Sequence, residues 1–125
     1  MTETLTISSL GHTWILDLDG TIVKHNGYIL DGYDTLLENA PEFLSSIPAG
    51  DMIVFITSRT DEYKKTTELF LEEHNIHYDH IIYGAPLGER ILINDRKPSG
   101  LGVAIAVNVK RDWTDKIRIE VDEKI

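Results

Sequence analysis

Two aspartates, Asp17 and Asp19, stand two positions apart at the end of the apolar run Thr13-Trp14-Ile15-Leu16, and Gly20-Thr21 follow them. In an extended chain residues i and i+2 point to one face, so this spacing sets two carboxylates side by side. Two anions beside apolar neighbours are costly unless a cation offsets them. A hard, oxygen-seeking ion such as Mg2+ is the economical partner. Gly20 lets the backbone turn away from the pair. A carboxylate couple of this kind can divide its work, one group attacking as a nucleophile and the other moving a proton.

Two more apolar runs end in polar groups. Met52–Ile56 closes on Thr57-Ser58-Arg59, and the run at 90–93 closes on Asn94-Asp95-Arg96-Lys97-Pro98. Hydroxyls ahead of a helix N-terminus are well placed to hold phosphate oxygens. Ligands of open α/β sheets bind beyond the carboxyl ends of the strands, where all three groups would meet. Plainer roles stand beside these. Thr57 and Ser58 can cap the next helix, Asp95 can be a turn residue, Arg59 can be an ion-pair partner, and Lys97 can be a surface lysine.

The elements that must position these residues follow from pattern. Residues 13–17 lack strict alternation and suit a strand buried on both faces. Asn26-Gly27 predicts a hairpin in which residues 22–24 pair with 28–30. A helix is expected over 39–47, with Pro41 in its first turn and Pro48 and Gly50 ending it. Thr60 or Asp61 can cap a longer helix reaching His74, with Tyr63, Thr67, Phe70, Leu71 and His74 on one face and Asn75 as its stop. Strands are expected at 80–83, 90–93 and 103–109, and the alternating tail at 117–121 reads as a half-exposed strand. His74, His77 and His80 fit no usual zinc spacing and read as packing or surface residues, as do Tyr28 and Trp113.

With 125 residues and no cysteine, the chain suits a single domain over 1–125, and no disulfide framework is possible. No apolar run is long enough for a bilayer and residues 1–10 carry no leader pattern, so a cytoplasmic, membrane-free protein is expected. The net charge of −9 disfavours nucleic acid as a partner, since phosphate-backbone binding needs clustered Lys and Arg. A bound divalent cation would reconcile the acidic chain with an anionic substrate.

The Asp-Leu-Asp-Gly-Thr run at 17–21, Thr57 after one apolar strand and Asn94-Asp95 after another resemble, in that order, the haloacid dehalogenase superfamily. The resemblance implies a three-layer α/β/α sandwich around a mostly parallel Rossmann-like sheet, in strand order 5-4-1-2-3. It implies a phosphatase in which Asp17 is the nucleophile and forms an aspartyl-phosphate, and Asp19 is the general acid and base. Mg2+ would be held by the Asp17 carboxylate, the Asp19 backbone carbonyl and Asp95. Gly20, Thr21, Thr57, Ser58 and Arg59 would bind the substrate's phosphate. About thirty-five residues lie between the first two motifs and fewer than forty between the next two, which leaves no room for a cap domain. The open site then calls for a large substrate or for a second subunit of a homo-oligomer to close it. A small sugar phosphate is the favoured substrate.

The sequence departs from the family at the phosphate-neutralising lysine. Compact relatives often carry Gly-Lys-Pro just before the fourth strand, and Gly84-Ala85-Pro86 stands here. Lys97 is the proposed substitute, ahead of Lys64 and Lys65. In the family's strand order the link at 84–89 must also span about 22 Å diagonally. Its reach is at most about 25 Å, so it should be nearly extended and helix-free. A macromolecular substrate, or a binding or regulatory module without turnover, are the alternatives.

Overall fold

The computed structural model describes residues 2–125. The order of elements is β1 (Thr2–Ile7), β2 (Thr13–Asp17), α1 (Gly27–Leu30), α2 (Ala40–Ser46), β3 (Met52–Ile56), a 3-10 turn (Asp61–Tyr63), α3 (Lys64–Glu73), β4 (His80–Ile82) and β5 (Lys116–Val121). The chain is a small α/β protein with two parallel sheets. One holds three strands in the order β2-β3-β4 and the other pairs β1 with β5. Among the described residues no separate cap domain lies between β2 and β3.

The central sheet stands where the sequence pattern put its strands, but β2 is not buried on both faces: Ile15 is 54% exposed on the face opposite the buried Leu16. Asp17 pairs in register with Ile56, so the carboxyl ends of β2 and β3 lie side by side. Leu16, Ile53 and Phe55 carry the sheet into a core completed by Leu18, Ile22, Val23, Phe43, Ile47 and Leu71. Phe43 of α2 meets Trp14 and Trp113 edge-on, with ring centroids 6.2 and 5.9 Å apart. Trp113 is thus a core residue. From α3, Thr67 and Leu71 face inward at i, i+4 spacing. Neither Thr60 nor Tyr63 caps its helical segment through a side chain, and Asn75 ends α3 at φ 55°. No helix of the described residues is long and apolar enough to cross a membrane.

Three expectations are corrected. The hairpin does not join 22–24 to 28–30. Lys24 N–H donates to the Thr35 carbonyl and Leu37 N–H to the Ile22 carbonyl, so 22–24 pairs with 35–37 instead. A two-residue type I′ turn needs positive φ at both central residues. Only Asn26 has it, and Gly27 begins the helical turn α1. Residues 90–93 and 103–109 form no strand, and no helix or strand lies between β4 and β5. The apolar side chains of 91–93 stand in water, Ile93 at 90% exposure, whereas Val109 packs against the core, and β2 keeps a free edge. Strand propensity without a partner ladder does not make a strand. Finally, β1 was not expected; the tail at 117–121 needed a parallel partner, and the Thr-Leu-Thr-Ile alternation at 4–7 supplies it.

Candidate active site

The turn after β2 is built around one carbonyl. Leu18 O accepts from Thr21, Ile22 and Val23 N–H at 3.1, 2.9 and 3.1 Å. Gly20 takes φ +83°, and a Cβ there would lie 3.3 Å from Arg111 Cγ. The turn is held from the far end of the chain. Asp112 N–H donates to Gly20 O at 2.8 Å, Asp112 Oδ1 accepts from His25 N–H at 2.8 Å, and Trp113 Nε1–H donates to Thr21 O at 2.8 Å. Residues 111–113 are thus a brace for 17–21, and no signal in the sequence marked them for it.

Asp17 is half-exposed at the carboxyl end of β2. Its Oδ2 lies 3.4 Å from the Thr21 hydroxyl, and its Oδ1 accepts from Arg90 Nη1 at 3.1 Å. On the neighbouring strand Thr57 is buried one residue past Asp17's register partner. Thr57 Oγ1 accepts from Arg59 N–H at 3.1 Å, and its N–H bonds the Ile82 carbonyl of β4 at 2.9 Å. Its hydroxyl proton has no partner among these bonds. Ser58 is half-buried beside it.

Arg59 departs furthest from expectation. Its side chain is 2% exposed and faces two carboxylates. Nε and Nη2 fork onto Asp19 at 3.0 Å each. Nη1 and Nη2 fork onto Asp34 at 3.0 and 2.7 Å, and Nη1 also donates to Thr67 Oγ1 at 2.9 Å. The five N–H donors of a guanidinium are then all used. Arg59 has none left for a substrate phosphate, so its expected substrate contact is replaced by a buried ion-pair network. Tyr28 lies over its Cζ at 3.9 Å. Burial works against the Arg59 charge, but the hydrogen bonds and charges of Asp34 and Asp19 outweigh it and push its pKa up. The Tyr28 phenol is pushed up by burial and then by the Asp19 charge.

The residues of the expected metal site are not gathered. Asp95 is exposed and accepts only from the Asn94 side chain beside it, at 3.4 Å. Among the described residues no group of three or more His, Cys, Asp or Glu could hold a metal ion. As folded here, Asp95 turns to its neighbour Asn94 and Asp17 to Arg90, so the expected ligand set does not fit Mg2+. Lys97 forms no ion pair with Asp17 or Asp19 among the described residues, and its N–H bonds Leu101 O in a turn. The cation that reaches Asp17 is Arg90, which sequence reasoning missed because it lies seven residues before Lys97, ahead of the apolar run.

No family model matches the chain, and no curated protein matches it. Among solved structures it is similar to a chain of a Pnkp1/Rnl/Hen1 complex, with a TM-score of 0.51 and 27% identity. The match covers 66% of this chain and 31% of that one, so this chain spans about a third of the length of the chain it resembles.

Proposed function

We propose that the chain is a phosphatase that cleaves a phosphate monoester through an aspartyl-phosphate on Asp17. The observation that carries this reading is Asp17 itself. It is an accessible carboxylate at the carboxyl end of a parallel strand, with Arg90 at 3.1 Å and buried Thr57 at the end of the adjacent strand. A cation beside the nucleophile is what an incoming phosphoryl dianion requires. Arg90 takes here the part first given to Lys97.

In the first step an Asp17 oxygen bonds to phosphorus, the ester P–O bond breaks, and the leaving oxygen takes a proton from Asp19. In the second, Asp19 takes a proton from water as the water oxygen bonds to phosphorus and the bond between the Asp17 oxygen and phosphorus breaks. Phosphate departs and both aspartates are restored. Thr57, Ser58, Gly20 and Thr21 surround the phosphate in this reading.

Mg2+ belongs to the reading through the resemblance of residues 17–21. It would require Asp95 to approach Asp17. That approach would complete the three-layer sandwich, with 90–93 added to the free edge of β2. It would carry Arg90, five residues earlier, about 16 Å from Asp17, so it is an alternative to the Arg90 arrangement and not part of it. The exposed Ile91 and Ile93 and that unpaired edge support it. The separation of Asp95 from Asp17 favours a second reading, a binding module without turnover. Likeness to one chain of a multi-component complex keeps a macromolecular substrate beside the small sugar phosphate.

The test is phosphate release from an aryl phosphate and a sugar-phosphate panel, with Mg2+, with chelator, and in Asp17→Asn. Mg2+-dependent release that is lost in the variant supports the reading. Folded wild-type protein that releases no phosphate from any ester supports the binding module.

A further inference from the structure

We propose that Arg59 and Asp34 form a clamp that positions Asp19 for proton transfer, an inference that rests on the phosphatase reading. Asp19 leaves β2 on a turn, where a short side chain has free rotation about its own bonds. The Arg59 fork removes that freedom by taking both Asp19 oxygens in one plane. A fork can orient a partner only if it is itself fixed, and three elements and one loop residue fix this one. Arg59 follows β3, Thr67 on α3 accepts from Nη1, Tyr28 of α1 covers Cζ, and Asp34 takes the opposite side of the guanidinium. Asp34 is 7% exposed and makes no other side-chain hydrogen bond among the described residues, so its place is explained by Arg59.

The charge count agrees. One buried cation faces two carboxylates. A pair for stability alone needs one of them. The second carboxylate saturates the guanidinium and keeps it from turning toward a substrate phosphate. Each Asp19 oxygen accepts one Arg59 hydrogen and retains a second lone-pair direction for a proton. Arg59 and Asp34 are therefore positioning residues acting through Asp19.

The test uses two esters of opposite demand, an aryl phosphate with a good leaving group and an alkyl phosphate with a poor one. Proton donation matters most when the leaving oxygen is basic. In Asp34→Asn, kcat for the alkyl ester should fall more than about tenfold further than for the aryl ester, with KM little changed. Thr67→Val, a milder loosening of the fork, should shift the same ratio in the same direction by less. Equal losses for both esters, or none, in folded variants would overturn the clamp. NMR reads it without catalysis: the Arg59 side-chain N–H signals should exchange slowly in wild type and rapidly in Asp34→Asn. Exchange in wild type as fast as that of Arg90 would also overturn it. Inactive wild type with protected Arg59 signals would instead defeat the phosphatase reading.

Discussion

Arg90 Nη1 donates to Asp17 Oδ1 at 3.1 Å across 73 residues of sequence. The two side chains are about equally exposed, at 36% and 37%. An ion pair this open contributes little to stability. In the proposed mechanism its place beside Asp17 serves the phosphoryl anion that would approach there.

Arg90→Ala should therefore keep its melting temperature within a degree or two of wild type. Phosphate release should fall on the order of 100-fold, as for loss of one preorganised charge donor. Arg90→Lys should recover part of it. Lys97→Ala should change neither quantity, because the cation paired with Asp17 is Arg90. Steady-state kinetics beside thermal melts would check all three variants.

Gly20→Ala should destabilise the fold by about 1–3 kcal/mol, the cost of forcing a side chain into a left-handed conformation. At φ +83° the added Cβ would also press on Arg111 Cγ at 3.3 Å. Urea unfolding reads this directly. Gly11→Ala, which meets nothing within 4 Å, is the control and should be near neutral.

Trp113 joins the core to the site. Trp113→Ala should cost about 3–5 kcal/mol through lost packing against Phe43. Trp113→Phe keeps a ring but loses the bond to Thr21 O, and should cost about 1 kcal/mol for that bond in addition to any repacking. Amide exchange at residues 20–23 should quicken in Trp113→Phe, since the turn they form loses a brace.

Asp51 gives the fold an acid limit. Burial raises its pKa, but bonds from Trp14 Nε1 at 2.9 Å and from His12 outweigh burial and leave it below the ordinary range. A carboxyl depressed in the folded state contributes stability above its unfolded pKa and loses it as pH falls through the folded value. Wild type should thus lose stability steadily below about pH 4. Asp51→Asn should start about 1–3 kcal/mol lower at neutral pH and show a flatter acid profile. Melting curves from neutral to acid pH compare the two.

Much of the fold was legible because it is local. The runs at 13–17, 52–56 and 80–82 became parallel neighbours, and α2 and α3 stand where periodicity put them. What was not legible depends on distant partners. Asn26-Gly27 looked like a hairpin tip, but 22–24 pairs beyond α1 with 35–37. Residues 90–93 have strand composition without a neighbouring strand. At the site, Asp17 and Thr57 come to adjacent strand ends as their spacing suggested. Arg59 was visible as a residue, but its role is set by Asp34 and Asp19, 25 and 40 positions away. Nothing in the local sequence around Asp34 or Arg90 announces either partner.

The most direct measurement is acid-quenched mass analysis of the chain during turnover of an aryl phosphate, followed by peptide mapping. The proposed mechanism predicts one added phosphoryl group on the peptide containing Asp17, absent in Asp17→Asn along with phosphate release. Phosphate release that persists in Asp17→Asn, or a phosphoryl group mapped to any other residue, would contradict it.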